Sequence, residues 1–315
     1  MIYVYAPSMA TVTFVLKRYS LKDIFILSPN DAIVEFCKRM EMHHMALNTN
    51  RDKTLKGLKA YAKYIRQIAK TYRNVEFLFC FYGFDYWGLY FIKKLSKENF
   101  ISFYNLDNSF KKIKLLWYKP IRFQDLKDKT ALFLATGICY ERFEISSDRM
   151  FWGLSPSRLE SMYSLNDENE EPLLYRDNRK FIFDKYTLNL AKAIFIDQGN
   201  TRYETFNDII EVLKESYSKD ELIVKPHPNF DLSNKNFRYF HIVNREIPVE
   251  VLLEEVDTII GIASTGMREC RDKKIISIIN LVSWVDEKEK QKYLSVLDDK
   301  TLIPNNLEEF KDCLI

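Results

Sequence analysis

Short apolar runs closed by turn residues alternate with longer stretches whose apolar residues recur every three or four positions. "MIYVYA", "DIFILS", "VEFLFCF" and "ISFYNL" are runs of the first kind and predict buried strands. Over residues 54–72, Leu58, Tyr61, Ile65, Ile68 and Tyr72 fall on one face and predict a helix. The most apolar stretch, "VEFLFCFYGFDYWGLYFIKKL", is broken by Gly83, Asp85 and Gly88. It reads as strand, turn and helix rather than as a membrane span.

The pattern lapses over the polar run 164–180, which reads as an interdomain segment. A second series then begins. "AIFIDQGN" is strand and turn, and "ETFNDIIEVLKESY" is a helix with Phe206, Ile209, Ile210, Leu213 and Tyr217 on one face. "ELIVKPHP" and "FRYFHIV" read as strands, "PVEVLLEEV" as a helix with proline near its start, and "DTIIGIAS" as a strand. "STGMRECRDKK" opens a helix before the last strand, "IISIIN". Such alternation predicts an α/β protein with two Rossmann-like domains, residues 1–172 and 173–315, and a central cleft between them. Ligands in such sheets bind beyond the carboxyl ends of the strands.

At 315 residues, 47% hydrophobic and 29% charged, the chain can bury two cores. Lys+Arg 47 against Asp+Glu 44 leaves +3, which makes no case for nucleic acid. Cys37, Cys80, Cys139, Cys270 and Cys313 stand singly, so neither a disulfide framework nor a zinc site is indicated and a reducing cytoplasm fits. The first residues lack a basic region before their apolar part and read as strand and helix, not as a signal peptide. GxxxxGK[ST], GxGxxG and GxSxG are all missing, which weakens ATP, NAD and hydrolase readings. No Asp-x-Asp pair occurs to hold Mg²⁺ on a diphosphate, so phosphate chemistry here is expected to need no metal and no cofactor.

Three turns of the second half follow apolar strands and carry polar groups. They are Asp197-Gln198-Gly199, His227-Pro228 and Ser264-Thr265-Gly266. Ser264 and Thr265 sit where a helix begins; they are either plain caps or part of an anion site, and Gly261 and Gly266 favour close approach of a ligand. His227 lies between Pro226 and Pro228, which stiffen its loop; it is either a locally bonded turn residue or a donor to a phosphate. Asp197 at a strand end is a candidate general base, or else it caps the following loop. Lys225 and Gln198 add polarity beside these groups, while His43, His44 and His241 read as structural or surface residues.

Read together as "IDQG", "KPHP" and "IASTG", the three turns resemble the motifs of bacterial sialyltransferases. In size and in the opening strand the chain looks most like glycosyltransferase family 52, the lipooligosaccharide and capsule enzymes. The motif match spans residues 193–280, and the first half resembles the family only in size and pattern. The resemblance implies a GT-B fold with an acceptor-side first domain and a donor-side second one. It implies an inverting, metal-independent transferase that moves a nonulosonic acid from a CMP donor to a surface glycan. His227, Ser264 and Thr265 would then contact the CMP phosphate, with Gln198, Gly199, Lys225, Pro228, Gly261 and Gly266 around the donor. Asp197 would be the base, although Gln198 stands where the family often has its acid. CMP-Kdo or CDP-glycerol as donor, or a catalytically silent glycan-binding protein, are the competing expectations, and a homodimer is left open.

The stretch "KTLKGLKAYAKYIRQIAKTYR" contains no acid, and Lys56, Lys59, Lys63, Arg66 and Lys70 share one face. That face is either a solvated exterior or a surface drawn to anionic lipid on the inner face of a bacterial membrane. "KKIKLLWYKPIR" adds basic and aromatic residues.

Overall fold

The computed structural model describes residues 1–48, 54–81, 86–105, 114–115, 123–139, 141–146, 149–153, 164–165, 172–189, 191–198, 203–204, 206–264, 267, 270, 272–295 and 297–315. The chain forms two compact units, Met1–Asn178 and Arg179–Ile315.

In the first unit the strands are β1 Ile2–Tyr5, β2 Ile24–Ser28, β3 His43–Ala46, β4 Glu76–Phe81, β5 Phe100–Asn105, β6 Lys114–Leu115, β7 Glu141–Ser146, β8 Arg149–Gly153 and β9 Ser164–Leu165. Six of them form a parallel sheet in the order β3-β2-β1-β4-β5-β9, and β6, β7 and β8 form a small antiparallel sheet. Edge strand β3 carries His43 and His44, and the His44 ring bonds the Met42 carbonyl at 2.9 Å. The core is aromatic. Tyr5, Phe77, Phe79 and Phe91 pack at tilted and edge angles, and Tyr61 meets Trp87 edge-on at 4.6 Å. Gly88 lies inside helix Tyr86–Leu95, because a Cβ there would stand 2.8 Å from the Tyr5 ring.

The second unit contains β10 Ala193–Ile196, β11 Tyr203–Glu204, β12 Leu222–Lys225, β13 His241–Ile242, β14 Thr258–Gly261, β15 Lys274–Ser277 and β16 Ser283–Trp284. Its parallel sheet runs β13-β12-β10-β14-β15. Counted within each parallel sheet, both have their first five strands in the order third, second, first, fourth, fifth, the doubly wound arrangement. Phe195, Ile210, Leu213, Val224, Phe237, Ile260 and Phe310 build the second core.

Two segments depart from the sequence reading. The polar run 164–180 becomes helix Pro172–Tyr186 in its second half. That helix buries Tyr175, Ile182 and Tyr186 together with two polar residues, Asn178 and Arg179. The Asn178 amide donates to the Leu16 and Tyr19 carbonyls at 2.8 and 3.0 Å. In the second unit Arg179 donates to the Val251 carbonyl at 3.2 Å and pairs with Glu254 and Glu255 at 2.5 and 2.6 Å. Satisfied polar groups can be buried, so the buried face here is invisible to an apolar pattern. The run "FRYFHIV" is a strand only at His241–Ile242; before it, Lys235–Tyr239 is a 3₁₀ turn. Phe237 and Phe240 are both buried, and their spacing of three suits that turn rather than strand alternation.

Candidate functional site

β10 lies between β12 and β14, so the first, second and fourth strands of the second parallel sheet are adjacent. All three are parallel, and their carboxyl ends share one edge of the sheet. The winding changes direction between β10 and β14, the place where such sheets open a crevice. The three polar turns leave these strands: Asp197-Gln198 after β10, Pro226-His227-Pro228 after β12 and Ser264 after β14. Gly199, Thr265 and Gly266 lie outside the described residues.

His227 is half-buried, and its Nδ1 accepts the Asn229 backbone N–H at 3.1 Å. An amide N–H can only donate. The neutral ring must then carry its proton on Nε2, which leaves an N–H donor on the far side. Its face rests on Phe230, 4.6 Å between centroids, and Phe230 is itself exposed. Burial lowers the His227 pKa and the Lys225 charge lowers it further, so the neutral ring is the form present at pH 7.

Lys225 is only 3% exposed. Its Nζ donates to the carbonyls of Pro226 at 2.6 Å and Arg245 at 3.0 Å. Burial pushes its pKa down to about 8, while Glu250 and Glu246 pull it back up. It ties the proline-flanked turn to the segment after β13. Asp197 is 2% exposed, its backbone N–H bonds the Lys225 carbonyl at 3.0 Å, and its Oδ2 accepts the Ser233 N–H at 2.7 Å. The carboxylate thus holds the far end of the loop that carries His227. Gln198 and Pro228 are half-buried at the same edge.

Ser264 is half-buried, and its carbonyl accepts the Met267 N–H at 3.1 Å, one turn onward. Gly261 was expected to admit a ligand. The space a side chain would need there is instead bounded by protein, the Met267 sulfur at 3.0 Å and the Ile196 carbonyl at 3.1 Å. The glycine lets β14 and its turn pack against β10. Among the described residues no three His, Cys, Asp or Glu side chains gather as a metal centre requires.

Sequence reading missed three contributors: Asn229, Phe230 and Ser233. The first two follow directly in "KPHPNF", so the signal was adjacency. Ser233 acts through its backbone, which no residue type reveals.

No protein-family model matches the chain, and no curated protein matches its sequence. Among solved structures it is similar to a glycosyltransferase from Rickettsia africae, at 15% identity over 99% of this chain and 86% of that one, with a TM-score of 0.38. A UDP-GlcNAc 2-epimerase from Neisseria meningitidis bound to UDP-GlcNAc aligns at 11% identity over 99% and 89%, TM-score 0.44. The glycosyltransferase SnogD from Streptomyces nogalater aligns at 9% over 99% and 92%, TM-score 0.41. Likenesses this remote say nothing of substrate or reaction. The strand orders define the class: a chain of two Rossmann-like parallel-sheet α/β domains, the components of a GT-B fold.

Proposed function

We propose that the protein is an inverting, metal-independent glycosyltransferase, and that its second domain binds the phosphate of a CMP-linked nonulosonic acid for transfer to a hydroxyl of a surface glycan. The observation that carries the reading is the His227 ring at the carboxyl edge of the sheet, fixed by Asn229 and Phe230 with its N–H on Nε2, the nitrogen away from the Asn229 amide. A CMP donor has a single phosphate. During transfer the anomeric carbon–oxygen bond to that phosphate breaks, and the electron pair leaves with CMP. The acceptor oxygen bonds to the anomeric carbon from the opposite side, and its proton passes to a base. Charge grows on the phosphate as the bond breaks, so a preset N–H donor stabilises the transition state more than the ground state. Ser264 and Thr265 would supply hydroxyls to the same group.

Asp197 fits a positioning role better than that of the base, because it is buried and engaged with the Ser233 N–H. With Gln198 beside it, the acceptor's proton goes to a group outside this turn. The test is CMP release from CMP-sialic acid, with and without a galactose-terminated acceptor. We expect acceptor-dependent release that EDTA leaves unchanged. His227→Ala should lower turnover at least about tenfold with its circular dichroism intact. Turnover of UDP- or GDP-sugars in place of the CMP donor would overturn the donor assignment, and unchanged turnover in His227→Ala would overturn the phosphate role.

A further inference from the structure

Two neighbouring helices of the first unit present outward faces that the proposed reaction does not use. Helix Leu55–Thr71 buries Tyr61, Ala62, Ile65, Ile68 and Ala69. Lys56, Lys59, Lys63, Arg66 and Lys70 project on the other side, and all five are exposed. The helix contains no carboxylate to offset them. Arg66 also adds to a second basic group, Lys93, Lys94 and Lys97. Partial burial lowers the Lys94 pKa, and the charges of Lys97, Arg66 and Lys93 lower it further, as a concentrated positive potential must.

Helix Phe123–Thr136 packs beside helix Leu55–Thr71. It buries Leu132 and Ala135 but exposes Phe123, Leu126, Phe133 and Leu134, at 83, 48, 49 and 51%. At one turn per 3.6 residues these four fall within an arc of about 100°, away from the buried side. Asp125 and Asp128 of this helix are matched in number by Lys127 and Lys129. Single exposed apolar residues are ordinary; four large ones on one helical face beside an unbalanced basic stripe are not.

The partner must suit both stripes. A nucleic acid would pair with the lysines and leave the apolar residues in water. An apolar protein surface would leave the lysines unmatched. A bilayer with anionic headgroups takes both, since apolar side chains enter at the headgroup–acyl boundary while lysine and arginine remain with the phosphates. We propose that the face made by helices Leu55–Thr71 and Phe123–Thr136 docks the protein on an anionic lipid surface. The docking is interfacial; no described helix is long and apolar enough to cross a membrane.

The experiment is flotation of the full chain with phosphatidylcholine vesicles containing or lacking phosphatidylglycerol, at low and high salt. Wild type should float with the anionic vesicles at low salt and be released by high salt. The Lys59→Glu, Lys63→Glu, Arg66→Glu triple variant should bind at least about tenfold more weakly. Phe123→Ser with Phe133→Ser should weaken binding while leaving its salt dependence. Every substituted side chain is exposed, and the Lys59→Arg, Lys63→Arg control should bind as wild type does. Absence of wild-type binding at low salt would overturn the proposal. So would equal binding to neutral vesicles, or a solution dimer that the Phe123→Ser, Phe133→Ser variant abolishes.

Discussion

A single backbone amide decides what His227 can do. The Asn229 N–H occupies Nδ1, so protonation there would set two donors face to face. Asp197 and Lys225 hold the same loop from opposite ends, and each can be tested apart from catalysis. Asp197→Asn keeps an acceptor for the Ser233 N–H, so turnover should stay within several-fold of wild type. Asp197→Ala should lose about 1–3 kcal/mol of stability by leaving that amide unpaired. A loss above about a hundredfold in Asp197→Asn, with stability unchanged, would return the base to this residue. Lys225 gives a signature in pH. Its folded pKa of about 8 lies below the ordinary 10.5, so above pH 8 the native state releases a proton that the unfolded chain still holds. Stability from this group therefore rises as pH climbs from about 8 toward 10.5. Urea midpoints of wild type and Lys225→Met, compared over that range, should diverge in favour of wild type with increasing pH. Comparing the two proteins cancels the opposing contribution of Cys37, whose thiol burial pushes up to about 12.

At the scale of elements, two glycines act through what they leave room for. Gly261→Ala would press on the Ile196 carbonyl, part of a central strand that cannot yield, and on the Met267 sulfur. Differential scanning calorimetry should show a loss of about 1–3 kcal/mol. Gly88 shows why its helix was only partly legible: the sequence marks a breaker, whereas the fold places the Tyr5 ring against the helix backbone at that point. Strands were readable because β1, β2, β10, β12 and β14 are short apolar runs with turn residues behind them. Helix Pro172–Tyr186 was not, because the residues it buries include Asn178 and Arg179, whose partners lie far along the chain. The same distinction holds within the site. His227 was legible from two prolines in a chain with four histidines. The grip of Asp197 on a backbone amide of residue 233 required the fold.

For the molecule as a whole, ligand binding should register as stability of the native state. If the second domain takes a cytidine nucleotide, CMP and CDP should raise the melting temperature more than UDP or GDP at equal concentration. At a hundred times Kd the gain is about 2.7 kcal/mol, ample for a thermal-shift readout. Equal shifts with all four would remove the preference for cytidine. The parallel winding of the second sheet adds an effect that belongs to no side chain. Helix Asn207–Ser216 comes after β11 and before the parallel strand β12, and its first residue, Asn207, accepts the Asn234 amide at 2.9 Å just past the loop that carries His227, so its amino terminus lies at the same edge as the three polar turns. The dipole of that helix places partial positive charge there, reduced by Asp208 in its first turn. An anion bound at that edge would be drawn by this charge as well as by His227. Replacing the histidine should thus weaken nucleotide affinity far less than it slows the reaction, and the affinity that remains should still fall as salt is added.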